Sequence, residues 1–166
     1  MKKNKLPLSA VLLSVVLLGI ALGVCAQEDR NLIVPGKKVG LIALGKPIPR
    51  EVLKSLGKPT SHTAPLPGKD GTDTGNYYWE GKLNVKLNDG RGDENVYQIF
   101  VLSPNYHTAE GIKVGASWEQ VRRVYPKGKK IEVMDFDFGW ATPGMVFSIS
   151  GNKVRGIGVR ITGRRE

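Results

Sequence analysis

Hydrophobic and polar positions divide this chain of 166 residues into a leader and two similar blocks. Lys2, Lys3 and Lys5 precede an apolar run over 6–24 that ends at Val24-Cys25-Ala26. Positive head, apolar middle and small residue at the cut are the order of an export signal over 1–26, with Val24 and Ala26 at −3 and −1. Two other outcomes stay open. Leu22-Gly23-Val24-Cys25 resembles a lipobox, although Val24 stands where Gly, Ala or Ser is usual, and would make Cys25 the lipidated residue. The same run, left uncleaved, is just long enough to span a bilayer with the lysines on the cytoplasmic side.

Two α+β blocks follow, 27–106 and 107–166, with one order of events. In the first, the turn Pro35-Gly36-Lys37-Lys38 leads into 39–44, Gly45 and a short helix over 49–56. Pro49 suits a first helical turn, where its missing N–H is not needed. Gly57 ends the helix in a left-handed conformation and Pro59 prevents its return. In the second block, Gly111 to Gly115 leads to Ser117, whose spacing to Gln120 is that of a capping box. The helix runs over 118–125, burying Trp118, Val121 and Val124 or Tyr125, and Pro126 stops it. Strands are predicted over 76–80, 82–88 and 96–103 in the first block. Those of the second are 132–140, the alternating Met145, Phe147 and Ile149, and 154–161 after the turn Gly151-Asn152. Val96, Ile99 and Val101 match Val154, Ile157 and Val159 at a constant offset, and Trp79 and Trp140 each precede the alternating strand. The turn-rich stretch 62–76 reads as a long exposed loop of the first block.

The expected fold is therefore α+β: two tandem helix-plus-antiparallel-meander repeats, about three strands each, forming one sheet layer with short helices on one face. Alternate strand residues point to opposite faces. Leu83, Val85, Leu87, Ile99, Val101, Phe147, Ile149, Ile157 and Val159 fall on the covered face. Asn84, Lys86, Gln98, Phe100, Leu102, Val146, Ser148, Gly158 and Arg160 fall on the other. Phe100 among basic residues is an anchor of the kind protein interfaces use. Lys86, Gln98, Phe100, Ser148 and Arg160 are accordingly the candidate partner-binding residues.

Charge and composition narrow the partner. The formal net charge is +10. Without the three leader lysines, 22 basic residues stand against 15 acidic ones. The excess sits in 107–166, with 11 basic and 6 acidic residues. In an export compartment a basic surface meets envelope polymers, anionic lipid or an acidic protein rather than nucleic acid. Arg164 and Arg165 are the residues nearest to hand for lipid headgroups. Cys25 is the single cysteine. A mature chain starting at Gln27 thus has no disulfide, thiolate zinc site or thiol nucleophile.

Gly45-Lys46-Pro47 through Leu56-Gly57-Lys58-Pro59, and Gly115-Ala116-Ser117 through Tyr125, resemble the glycine, capped helix and meander of the small outer-membrane assembly lipoproteins of the SmpA/OmlA type. In tandem, covering most of 36–163, the pattern looks like the β-lactamase inhibitor protein fold. Tyr125-Pro126-Lys127-Gly128 departs from the Leu-Gly-x-Pro usual after the helix. The resemblance implies an exported protein-binding or scaffold module without catalysis.

The residues offer little chemistry of their own. His62 and His107 are isolated, and no HExxH, Gly-x-Ser-x-Gly or phosphate-binding Gly-rich loop occurs. Asp70 with Asp73, and Asp89, Asp93 and Glu94, lack the regular ligand alternation of a calcium loop. Arg91-Gly92-Asp93 spells an adhesion tripeptide in a stretch where turn residues are expected anyway. No catalytic residue, metal or cofactor is expected. An envelope or secreted protein is the expected partner and an anionic membrane surface the second. The competing enzymatic reading is a small hydrolase or carbohydrate-active enzyme using Asp135 and Asp137. In a strand those carboxylates share one face, as paired carboxylates of glycoside hydrolysis do.

Overall fold

A computed structural model describes residues 29–63, 74–88 and 95–161. The leader with Cys25, most of the loop predicted over 62–76, the turn holding Arg91-Gly92-Asp93, and Arg164 and Arg165 lie outside the described residues. The first half contributes β1 (Leu32–Val34), β2 (Lys38–Val39), β3 (Ile42–Ala43), α1 (Arg50–Leu56), β4 (Ser61–Thr63), β5 (Thr74–Trp79), β6 (Leu83–Asn88) and β7 (Val96–Val101). The second contributes β8 (His107–Thr108), α2 (Trp118–Val124), β9 (Lys129–Ile131), β10 (Phe138–Thr142), β11 (Met145–Ser150) and β12 (Lys153–Arg160).

Eight strands form one antiparallel sheet in the order β4-β5-β6-β7-β12-β11-β10-β9. The fold is α+β, as the pattern predicts, and dominated by sheet. Its order reads alike from either edge, with β7 and β12 paired at the centre. All nine residues assigned by parity to the covered face are fully buried. Val52 and Val121 pack on that face from the two helices. Each helix has only seven residues, too few to persist alone. Burial on the sheet holds them.

The two halves match in detail. Leu83 pairs with Val101 and Val85 with Ile99; Met145 pairs with Val159 and Phe147 with Ile157. Each pairing then shifts at the corresponding place. The register runs from Lys86↔Gln98 to Leu87↔Val96, skipping Tyr97, and from Ser148↔Gly156 to Ile149↔Val154, skipping Arg155. One extra residue against a single partner is a β-bulge. The Gly45 N–H donates to the Val96 carbonyl at 2.7 Å, and the Val96 N–H to the Lys46 carbonyl at 3.0 Å. Gly115 and Val154 repeat the first bond at 2.8 Å, and Val154 and Ala116 the second at 2.9 Å.

The tryptophans depart from this match. Trp79 pairs with Leu83 but Trp140 with Phe147, so they stand two residues out of step. Each nonetheless ties its strand to its own helix. The Trp79 indole N–H donates to the Gly57 carbonyl at 3.0 Å and the Trp140 indole N–H to the Tyr125 carbonyl at 2.9 Å. Gly57 and Tyr125 are the C-cap residues. A Cβ on Gly128 would lie 2.1 Å from the Trp140 indole nitrogen. The departure at Tyr125-Pro126-Lys127-Gly128 thus makes room for this ring.

Several expected boundaries move. Pro49 is the N-cap of α1 rather than a residue of its first turn. Gly57 has the expected positive φ of 78°, but its ψ of −169° sends the chain out extended rather than through a left-handed turn. The capping box at Ser117 and Gln120 forms in both directions, at 3.2 and 2.9 Å. The predicted strand 132–140 begins only at Phe138, and 129–131 pairs instead as the edge strand β9. Both ends of the predicted loop 62–76 are strand. Each half of the sheet thus has four strands, not three. A second, four-stranded sheet, β3-β2-β1-β8, joins the start of the chain to its middle through a parallel β1–β8 pair. Between β1 and β2, the Gly36 N–H donates to the Gly144 carbonyl at 3.0 Å. The first half thereby rests on the β10–β11 turn of the second.

Replacing Ser117 by Ala removes one side of the capping box. We expect it to lower unfolding stability by about 1 kcal/mol. Urea denaturation followed by circular dichroism measures this, and an unchanged midpoint would show that packing alone fixes α2.

Candidate functional site

On the face away from the helices, strand register places residues in cross-strand rows. The central row crosses all eight strands: Ser61, Tyr78, Asn84, Phe100, Gly158, Val146, Ala141 and Lys129. Beside it, Lys86 pairs with Gln98 and Gln98 with Arg160. On the other half, Gly156 pairs with Ser148, Ser148 with Gly139, and Gly139 with Ile131. The strand positions named on this face hold three charged side chains, those of Lys86, Lys129 and Arg160, and no carboxylate. Lys86 and Arg160 flank Gln98 from the two neighbouring strands, about 10 Å apart at the ordinary strand spacing.

The five predicted binding residues therefore share one face, but not equally. Lys86 and Arg160 are exposed, and Gln98 and Phe100 are half-buried. Ser148 is 1% exposed and Gly158 is buried, so these two are not open surface. Their cover has two sources. The Phe100 ring lies flat across β12, where a Cβ on Gly156 would fall 2.3 Å from its Cζ. Val133, in the connection between β9 and β10, lies over Gly139 in the same way, with a notional Cβ 2.4 Å from its Cγ2. Phe136 of this connection meets Phe100 at a ring separation of 6.2 Å.

What remains between these side chains is a cleft of about 150 Å³, lined by Gln98, Phe100, Ile131, Val133, Val146, Ser148, Gly158 and Arg160. The Ser148 hydroxyl is buried there without a hydrogen-bond partner among the described residues. The Asn84 side-chain oxygen, one strand from Phe100, is buried and unpartnered too. A buried polar group left unpaired costs free energy of the order of 1–3 kcal/mol, so such groups are few in folded chains.

Val133, Phe136 and the glycine floor escaped the sequence reading. The available signal was the period-two pair Gly156 and Gly158 inside the strand β12, which marks close approach of another group.

Asp135 and Asp137 do not form the pair that strand alternation predicts. Asp135 sits in the β9–β10 connection with φ of 66°. Asp137 accepts the Gly151 N–H at 2.8 Å and the Ser150 hydroxyl at 3.3 Å, so it braces the β11–β12 turn. The two isolated histidines lie in strands, His62 in β4 and His107 in β8. His62 stacks on Tyr77 at 4.1 Å, and His107 Nε2 is 3.3 Å from an Asp29 carboxylate oxygen. Among the described residues, no three His, Cys, Asp or Glu side chains gather as metal ligands.

The strongest named perturbation of a titrating group lies apart from these rows, at Tyr125. Its hydroxyl donates to Glu110. Burial, reinforced by that bond, pushes the Tyr125 phenol up to about 12. The same hydrogen bond holds the Glu110 carboxyl below its ordinary value.

No protein-family model and no curated protein matches this chain. Among solved structures, it is similar to the crystal structure of the uncharacterized protein YfeY from Escherichia coli. Identity is 14% and the TM-score 0.53, over 76% of this chain and 98% of that one. At that identity the likeness concerns the fold alone.

Two outcomes follow. Gly156→Ala drives a methyl into the Phe100 ring, and overpacking of this kind costs about 1–3 kcal/mol. Combining it with Phe100→Leu should recover most of the loss in a double-mutant cycle, whereas additive losses would show that the ring does not rest on Gly156. Because the folded Tyr125 pKa lies above the ordinary value of about 10, its stabilising contribution is complete below that pH and lost as pH rises towards about 12. Tyrosinate absorbance should show a component near pH 12 that Tyr125→Phe removes and Glu110→Gln moves to lower pH; a profile unaltered by either substitution would count against the bond.

Proposed function

We propose that this chain is an exported, non-enzymatic binding module of the cell envelope, built as a tandem duplication, that holds an envelope or secreted protein on the open sheet face. The matched bulges at Tyr97 and Arg155, and the matched bonds of Gly45 and Gly115, support duplication. The leader motif over 1–26 supports export. The motifs resembling the SmpA/OmlA-type lipoproteins and the β-lactamase inhibitor protein fold favour the same class, as an analogy of architecture.

One observation carries the choice of face. Lys86 and Lys129 stand exposed on it, on the same face as Arg160 and the Phe100 ring. Such a surface is complementary to an acidic protein segment. Complementary charge steers encounter and fixes register.

The test is site-specific cross-linking in the native envelope. A photoreactive residue at Lys86 should trap one defined partner, and the same residue at Glu119, on the exposed side of α2, should trap none. Lys86→Glu with Lys129→Glu should abolish capture through a probe at Gln98 while leaving the circular dichroism spectrum unchanged. Raising salt should weaken capture by the unsubstituted face. Equal trapping from both probes, or full capture by the charge-reversed protein, would reject this face.

A further inference from the structure

We infer that the groove between α1 and the β2–β3 hairpin is a binding site for a small amphipathic acid, an aliphatic chain that ends in an anionic group. The groove lies on the helix side of the sheet, so it stands or falls independently of the open face.

The groove follows from how the two halves end their helices. In the second half, the C-cap Tyr125 sets its ring against Phe147, at a ring separation of 5.2 Å, and donates its hydroxyl to Glu110 in the stretch 107–113 that precedes α2. One side chain thus joins the end of α2 to the residues before it. In the first half the C-cap is Gly57, which has no side chain, and a Cβ placed there would meet nothing within 4 Å. No C-cap ring joins α1 to the hairpin before it. Between them is a groove of about 460 Å³. Small-ligand sites span roughly 300–1,000 Å³. A smaller depression of about 190 Å³ adjoins it, since Asn31, Leu56 and Tyr106 line both.

The walls set the chemistry of the occupant. Val39, Leu41 and Ile42 from the hairpin, with Val52 and Leu56 from α1, are all aliphatic. Each methylene group buried against them strengthens binding about fourfold. The rim carries Arg30, Asn31 and the half-buried Tyr106, and Lys82 lines the adjoining depression. Among the described residues, neither the Arg30 nor the Lys82 side chain has a carboxylate partner. Glu51 is the acid of the lining, and it has a place of its own in the first turn of α1, where the helix dipole favours negative charge. The uncommitted charge at the groove is therefore positive. The planar Arg30 guanidinium matches a carboxylate with two parallel donors.

A bilayer does not suit this opening. Docking on lipid needs exposed apolar side chains to insert. Among the described residues, the large exposed ones are Ile131 and Met134, in β9 and just after it, at the sheet edge formed by the second half. A single molecule entering the groove needs none.

Amide-resonance titration of the exported protein with monomeric octanoate tests the site. Saturable shifts are expected at Leu41, Ser55, Leu56 and Tyr106. Octan-1-ol keeps the chain without the charge, octylammonium reverses the charge, and acetate keeps the charge without the chain. The first two should bind about tenfold more weakly or less, the ratio that one charge-assisted bond is worth. Acetate should give no saturable shift. Arg30→Gln with Lys82→Gln should bring octanoate down to the level of octan-1-ol and leave the octan-1-ol response in place. Ser55→Phe puts a ring into the groove and should remove both responses. Should that variant fail to fold, the charge variant decides alone, because its octan-1-ol response reports an intact groove.

Equal binding of octanoate and octan-1-ol, tighter binding of octylammonium, or no saturable shift at these residues overturns the assignment. So does a response to phosphatidylglycerol vesicles where free octanoate gives none, which would hand the groove to a membrane surface.

Discussion

Antiparallel pairing of β7 with β12 is the constraint on which the rest of this structure depends. It turns two four-stranded meanders into one sheet, and its buried residues Ile99, Val101, Ile157 and Val159 form the middle of the core. Without that pair, each meander would expose a long, apolar edge strand, which invites uncontrolled association. With it, the remaining edges are β4 and β9, three residues each, and β9 carries Lys129 and Lys130. The helices depend on the same joint. Seven-residue helices need a wide apolar surface beneath them, and the fused sheet supplies it.

The two faces of the sheet are built differently. The helix face spends its apolar residues on cohesion. The Trp79 and Trp140 bonds to the helix C-caps close that layer by hydrogen bonds as well as by burial. The open face is assembled differently. Glycines at 139, 156 and 158 lower the floor, and Phe100 and Val133 lie down upon it. Side chains in contact across strands, rather than along them, shape the cleft beside Phe100. Cations and an aromatic ring share this surface, and Asp137 braces the β11–β12 turn.

Much of the core was legible because strand parity is a local rule. Nine residues from Leu83 to Val159 were assignable to the covered face by alternation alone, and all nine are buried. Ser117 and Gln120 announced their capping box by spacing. The edge strands were not legible. Ser61-His62-Thr63 and Lys129-Lys130-Ile131 carry no apolar alternation, since a strand at a sheet rim has little to bury. The candidate site was half legible. Parity grouped Lys86, Gln98, Phe100, Ser148 and Arg160 on one face. It could not say that Ser148 lies buried, because the cover comes from Val133 and from Phe100 leaning over Gly156. Those contacts join residues distant in sequence, and no periodicity reports them. Asp135 and Asp137 misled for the same reason: alternation implied a strand where the chain instead turns.

Phe100 faces Gly158 across the central strand pair, and the offset that aligns β7 with β12 makes these two residues each other's counterparts. A position on a two-fold axis meets its own image. Were the halves separate, identical chains, the same residue would occur twice there: two rings contending for one space, or two glycines leaving it empty. Carrying both halves on one polypeptide lifts that restriction. One side can contribute a ring and the other the hollow that receives it, so the sheet gains a handed, uneven centre that no symmetric pair of subunits could build.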